Sequence, residues 1–414
     1  MLARDASITD LFMELVAVPS PSGRERALGE QVRDWLADAG VAAEFDRAGT
    51  VNGSDAGNLI AVIPGSAEAP ACLFVAHLDT VESGAPAVTP HLDRDGAIRS
   101  SGETILGADN KSAVAAVMRL CAAVTRLPVA RRPTVVAAFT CREESGRMGV
   151  SLLDLPVAVQ CAFCVDGSKP IGTVITRALG QTVFSFAIHG RAAHAAAHPE
   201  AGISAIRVAS EIVAELPIGR LPGGGSASIA AIIGGAVIDS LSPEALRDLG
   251  VPADAGGRAS VDAALQRTPT NSVPALALVR GEVRGYSVEE MEDTVRTIAD
   301  TVARVCAAHG AAYDWARDPG RMIPPFPASS RSRALELVRA AAETVPGVRC
   351  VEVAAQATLE ANYLAAGTDV VAVASGGRDP HQLSESITVG ELEQLEALLR
   401  GIVDAAVGAP RGKG

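Results

Sequence analysis

Ala71-Cys72-Leu73-Phe74-Val75-Ala76-His77-Leu78-Asp79-Thr80 is an apolar run that ends in a histidine and an aspartate two residues apart. In a strand, residues two apart face the same side, so His77 and Asp79 can point together into one site. An imidazole held by a carboxylate is how proteins orient a metal-binding histidine. Alone, the pair reads more often as a solvated turn. Four further segments shift that balance, each carrying ligand-type residues at the end of an apolar segment or beside one. One is Gly107-Ala108-Asp109-Asn110-Lys111, ahead of a helical pattern from Ser112 to Thr125. Another is the run Thr134 to Thr140, which enters Cys141-Arg142-Glu143-Glu144-Ser145-Gly146. Ala162-Phe163-Cys164-Val165-Asp166-Gly167 ends in an acid, and Val370 to Ala374 is followed by Gly376-Gly377, His381 and Glu385. Ligands gather at the carboxyl ends of strands in open α/β sheets. Two histidines and several carboxylates delivered there form a ligand set for two divalent cations.

The chain has 414 residues, enough for two domains, and its 48% hydrophobic content is enough for a well-filled core. No apolar run approaches the length of a membrane span, and Met1-Leu2-Ala3-Arg4-Asp5 lacks a signal-peptide layout. Seven scattered cysteines fit a reduced cytoplasm better than a disulfide framework. Cys161-x-x-Cys164 has no second pair and reads as part of a buried strand rather than a redox or zinc motif. A net charge of −12 without a basic block argues against nucleic-acid binding.

Helical patterns near Ile8 to Val16 and Glu25 to Ala39 alternate with short apolar strands as far as Asp166, which predicts an α/β layered sheet. From Thr182 to Trp315 the order becomes strand, helix (Gly202 to Leu216), strand, strand (Ala275 to Val283), helix (Val288 to His309), strand. That βαββαβ order is a ferredoxin-like unit. Alternation then resumes with a helix from about Ser330, as N-cap, to Thr344, strands near Cys350 and Val370, and a closing helix from Glu391 to Val407. The expected organisation is a discontinuous catalytic domain over 1–180 and 320–414 with an inserted lid over 181–319. Within the lid, about 236–268 is longer than a hairpin needs, and Ser242-Pro243-Glu244 has the form of a helix start.

The order His-x-Asp, Gly-x-Asp-x-Lys, Glu-Glu, Asp-Gly, a mid-chain His and a late His resembles the M20 family of dinuclear zinc peptidases, and within it the peptidase T-like branch. The likeness runs from Pro19-Ser20-Pro21-Ser22-Gly23 with Glu25 to Glu385. It includes Ile171-Gly172, Asn271-Ser272-Val273-Pro274 and Glu282-Val283-Arg284. The resemblance implies a zinc-peptidase-like catalytic domain holding two Zn2+ (Co2+ or Mn2+ as alternatives) and a lid that also makes a homodimer contact. It places His77 and Asp166 on one metal, Glu144 and His381 on the other, and Asp109 between them. Two cations so close repel each other and need a shared carboxylate. Asp79 would orient His77. Glu143 would serve as general base, its carboxyl raised by neighbouring acids and exclusion from water.

His194, in Gly190-Arg191-Ala192-Ala193-His194-Ala195, matches a histidine that stabilises the oxyanion in the partner subunit's active site. Asn271 and Arg284 match positions that contact substrate, Arg284 as a bidentate carboxylate partner or else a structural ion pair. Glu360 and Asn362 are expected along the cleft. Three departures stand out: Asn110 where a second aspartate is common, Glu360-Ala361-Asn362 in place of Asp-Ala-Asn, and Gln382 after His381 in place of Thr. His91, His189 and His309 have no ligand motif around them. The leading expectation is a cytoplasmic aminopeptidase of tripeptides or similar short peptides. The alternatives are an M20-type deacylase or carboxypeptidase acting on N-acylated amino acids and, from another class, a non-catalytic dimeric binding protein.

Overall fold

The computed structural model describes residues 6–81, 87–101, 103–235, 266, 268–317, 322–326 and 331–408. The insertion expected over about 236–268, with its Ser242-Pro243-Glu244 helix start, lies almost wholly outside the described residues. Among the described residues the strands follow in chain order: β1 Ala43–Phe45, β2 Leu59–Ile63, β3 Cys72–His77, β4 Pro90–Leu92, β5 Ala97–Ser100, β6 Val135–Thr140, β7 Cys161–Val165 and β8 Thr173–Ala178, then β9 Gly180–His189, β10 Gly219–Arg220, β11 Ser226–Gly234, β12 Leu276–Gly285, β13 Ala312–Arg317, β14 Val351–Ala355, β15 Asp369–Val373 and β16 Ser386–Thr388. The chain divides into one unit of 1–178, 326–355 and 359–414 and a second of 179–325 and 356–358.

In the first unit the eight-stranded sheet has the order β1-β2-β6-β3-β7-β15-β8-β14. Strands β6, β3, β7 and β15 run parallel. Residues of β3, β6 and β7 are buried throughout, which is why these segments read as unbroken apolar runs rather than alternating ones. Helices Ile8–Val16, Arg26–Asp38, Ala108–Thr125, Arg333–Thr344 and Val389–Gly408 pack with Cys72, Phe74, Val135, Ala137, Phe139 and Phe163 in one core. On the opposite face Leu73, Val75, Val136, Ala138, Ala162 and Cys164 form a second, smaller core with Ala361 and Phe326. Cys161 and Cys164 are free, buried strand residues, as their apolar surroundings require.

Four elements depart from expectation. The helix expected from Ser330 is capped instead by Ser332, whose Oγ accepts the Leu335 N–H. Ser330 lies outside the described residues. Strand β8 was not legible because only Leu179 separates it from β9, so the two read as one run. The small sheet β16-β5-β4 uses strands of three or four residues, too short to show a period. Asp79 lies beyond the end of β3, so strand alternation does not account for its direction.

The second unit is an antiparallel sheet of order β10-β11-β12-β9-β13. Without the two-residue β10, the order is the ferredoxin-like one. β9 alternates buried and half-buried residues along its length, as a sheet packed on one face must. Helices Ala205–Glu215 and Val288–His309 cover that face over Phe184, Phe186, Ile188, Val279 and Val283. Ser204 and Ser287 cap them by accepting the N–H of Arg207 and Glu290.

Candidate metal centre

Because β3, β6, β7 and β15 are parallel, their carboxyl ends adjoin and deliver the predicted ligands to one place. His77 is the last residue of β3, Cys141 to Glu144 follow β6, Asp166 follows β7, and His381 lies beyond β15. His381 is reached through Gly376 and Gly377, both at φ 83°, and itself adopts φ 64°, a left-handed conformation rare outside glycine. Asp109 sits in the first turn of helix Ala108–Thr125 with non-helical backbone (φ −81°, ψ 101°). Glu385 fixes that turn: its Oε2 accepts the Gly107 N–H at 2.7 Å and its Oε1 the Asp109 N–H at 2.9 Å. Asn110 donates to Val165 O at 2.8 Å, a bond that an ionised aspartate at this departure could not make.

Ligand-type atoms of His77, Asp109 and Asp166 lie within 4.8 Å of one another, as do those of Asp109, Glu144 and His381. Asp109 belongs to both groups. A third grouping, His77 with Glu143 and Glu144, also meets that distance. His77 Nε2 is 3.3 Å from Asp109 Oδ1, and His381 Nε2 is 2.8 Å from Glu144 Oε1 and 3.6 Å from Asp109 Oδ2. Asp109 Oδ1 is buried without a hydrogen-bond partner. Burial, with repulsion from Asp109, pushes the Asp166 carboxyl well above the usual range. Burial also pushes Glu144 up to about 7, the Asp109 and Glu143 charges adding to it. A buried cluster of mutually repelling acids beside two imidazoles fits divalent cations, which would supply the missing positive charge.

Asp79 is fully buried and holds more than His77. His77 Nδ1 lies 2.9 Å from the Asp79 backbone carbonyl and 3.6 Å from its Oδ1. The Asp79 carboxylate instead accepts the N–H of Glu143 at 2.9 Å and of Glu144 at 3.0 Å, and the hydroxyl of Ser22. Burial raises its pKa, but the His77 ring, Ser22 and the backbone bond outweigh that and hold it below the usual range. Glu143 and Glu144 diverge, as adjacent turn residues can: Glu144 meets His381, whereas Glu143 Oε1 is 3.0 Å from Arg147 Nε. That arginine is a cation the sequence did not place there.

Glu360 and Asn362 are 1% and 0% exposed. Asn362 Oδ1 accepts the Leu359 N–H of its own turn. Among the described residues neither oxygen of Glu360 makes a well-formed hydrogen bond; the neighbouring Thr140 hydroxyl acts to lower its pKa, but burial outweighs that and pushes the carboxyl up to about 7.

In the ferredoxin-like unit, the Ala193–Ala195 segment pairs with Asn271–Val273 through Ala195 N–H to Asn271 O (2.8 Å) and Val273 N–H to Ala193 O (2.9 Å). In this register His194 lies opposite Ser272 and Asn271 opposite Ala195, with His194 and Asn271 both exposed. His194 Nδ1 accepts the N–H of Ala196 and Ala197 at 3.2 and 3.1 Å. The neutral ring therefore carries its proton on Nε2, free to donate outward. Arg284 is already paired, its Nε donating to Glu282 Oε1 at 2.8 Å, the structural alternative its sequence left open. His189 and His309 bond to Asp314 and Glu211, each at 2.8 Å, and His91 lies 3.1 Å from Asp93.

Residues 73–405 match the model of peptidase family M20/M25/M40. The uncharacterized protein YqjE of Bacillus subtilis (strain 168) is 25% identical over 98% of this chain and 100% of its own length. The crystal structure of aminopeptidase PepT from Bacillus cereus ATCC 10987 superposes with a TM-score of 0.82 at 26% identity, covering 98% of this chain and 99% of that one. A tripeptidase from Staphylococcus aureus has the same fold, with a TM-score of 0.82 at 21% identity over 99% of this chain and 100% of its own. With a family match that spans the sheet strands from β3 to β15 and the closing helix, this chain belongs to peptidase family M20/M25/M40.

Proposed function

We propose that this chain is an aminopeptidase that releases the first residue of tripeptides or similarly short peptides at a two-metal centre, with zinc as its metal. Family membership makes it a metal-dependent peptide hydrolase. The observation that carries the finer reading is the sharing of Asp109 between the His77/Asp166 and Glu144/His381 groups, at spacings that suit one carboxylate between two cations. Bound there, two divalent cations would polarise the scissile carbonyl and lower the pKa of water.

The chain's own residues supply the rest. His77 and Asp166 would hold one metal and Glu144 and His381 the other, with Asp109 common to both groups. Glu143 takes the proton of the attacking water and returns it to the leaving amine. Arg147 keeps the Glu143 carboxylate turned toward its own guanidinium edge between turnovers. His194, donating from Nε2, stabilises the oxyanion at the partner subunit's centre in a homodimer joined through the ferredoxin-like unit. Asn271, exposed on the segment that pairs with that of His194, contacts the substrate. Arg284 would have to exchange Glu282 for a peptide carboxylate.

The test is metal analysis of the purified protein together with hydrolysis of free-amino and N-acylated di- and tripeptides. About two zinc ions per chain, as a dinuclear site requires, with cleavage of free-amino tripeptides is the expected result. Cleavage of N-acylated amino acids alone would replace this reading with the deacylase one, and metal-loaded protein inert to the whole panel would leave a binding protein.

A further inference from the structure

The Pro19-Ser20-Pro21-Ser22-Gly23 stretch with Glu25 has no part in the chemistry above, yet it reaches the turn that carries Glu143 and Glu144. Four successive amides leave β6, and each donates to a side chain rather than to backbone. Cys141 N–H donates to Asn58 Oδ1 (3.2 Å), Arg142 N–H to Glu25 Oε1 (3.0 Å), and those of Glu143 and Glu144 to the two oxygens of Asp79. Buried amides must be paired somewhere. Acceptors from three separate segments do more than pair them, because they fix the path of the turn.

The acceptors are tied to one another. Glu25 Oε1 also accepts the Gly23 N–H at 2.6 Å, its Oε2 accepts the Ser54 hydroxyl, and Ser22 bonds to Asp79. Glu25 is fully buried and precedes helix Arg26–Asp38 without capping it, so its carboxylate is committed to the turn. Arg142, the residue it holds, adopts φ 53°, a conformation disfavoured for a residue with a Cβ. Gly149 closes the same turn where a Cβ would lie 2.2 Å from Cys141 O.

We infer that Glu25 is a positioning residue for the peptidase reaction: by accepting the Arg142 N–H it holds the left-handed turn that aims Glu143 and Glu144, through the reach of its carboxyl oxygen and not through its charge. This rests on the roles given to Glu143 and Glu144 above.

Two substitutions separate reach from charge. Glu25→Gln keeps an oxygen on both amides and can donate to Ser54. Glu25→Asp keeps the charge but withdraws it by one bond length, about 1.5 Å. Each is measured beside wild type and Glu143→Ala for kcat, KM, metal content and the visible spectrum of the cobalt(II)-substituted protein. The glutamine variant is expected within about threefold of wild type. The aspartate variant is expected to lose kcat by roughly 30- to 100-fold, as a displacement of order 1 Å can. Its KM should stay within about threefold, with full cobalt content and an altered spectrum. Four results overturn the inference: wild-type kcat and spectrum in the aspartate variant, equal impairment of both variants, a kcat loss that merely tracks lost metal, or an aspartate variant that does not fold. Turnover retained by Glu143→Ala would instead bring down the reading of the site, whatever the Glu25 variants do.

Discussion

Around β3, β6 and β7 buried acids crowd together, whereas on the ferredoxin-like unit several charged groups are paired with an opposite charge. Among the described residues Asp109 Oδ1 is buried without a hydrogen bond, and burial, with repulsion from Asp109, raises the proton affinities of Asp166 and Glu144. On the other unit, Arg284 is bonded to Glu282, His189 to Asp314 and His309 to Glu211. Unpaired buried charge marks a place completed by a ligand, because the desolvation of those groups must be offset by something. Paired, half-exposed charge marks a surface that can exchange partners at little expense. Catalytic effects should therefore be large at the first region and graded at the second.

Glu143→Ala is the sharpest attempt to break that contrast. Removal of a general base should lower kcat by about 10³- to 10⁴-fold. The other carboxylates and both histidines remain, so metal content should hold near wild type. Single-turnover kinetics with metal analysis checks both halves. Loss of metal in proportion to activity would mean that Glu143 is a ligand, the third grouping with His77 and Glu144 being the operative one.

His194→Ala should cost less, about 10²-fold in kcat, the range seen when one oxyanion donor is deleted. Apart from its Nδ1 contacts to the Ala196 and Ala197 amides, the ring is exposed, so thermal stability should be nearly unchanged. Mixing this variant with Glu143→Ala should restore part of the activity, since hybrid dimers would hold one intact centre. Mixtures no more active than either parent would place the histidine outside the partner's site, or the chain outside a dimer.

Legibility followed the same division. His77, Glu143, Glu144 and Asp166 stood out because each ends or follows an apolar run, unbroken because β3, β6 and β7 are buried on both faces, whereas Asp109 and His381 stood out through the motif order that resembles the family. The grounds were sound for His77 and incomplete for Asp79, which gains its direction from the amides of Glu143 and Glu144. Glu25, Asn58 and Glu385 could not be assigned roles because their partners are backbone N–H groups, which every residue has and no pattern reveals. Arg147 lies four residues after Glu143, a spacing that speaks for contact only in a helix, and this segment is a turn. The burial of Glu360, 1% accessible, was not legible either, because a polar residue in a short motif carries no sign that it is enclosed.

Glu360 offers the finest measure of the contrast, because it belongs to the unpaired region without being a candidate ligand. Burial raises it most; the His77 charge and the Thr140 hydroxyl act to lower it and the Glu143 and Asp79 charges to raise it, which sets its folded pKa at about 7 against 4.5 for a free glutamate. A carboxyl raised on folding contributes stability that is fully present below pH 4.5 and is lost as pH rises through about 7. Glu144, also raised to about 7, acts with the same sign. Metal-free protein should therefore unfold more readily at pH 8 than at pH 5. Glu360→Gln, neutral at every pH, should remove part of that slope, gaining on the order of 1 kcal/mol over wild type at pH 8, less at pH 5 and nothing below pH 4.5. Denaturant melts of chelator-treated protein across that range would read the difference directly. Parallel slopes for the two proteins would mean that Glu360 has a partner in solution, and that the unpaired region is confined to the ligands themselves.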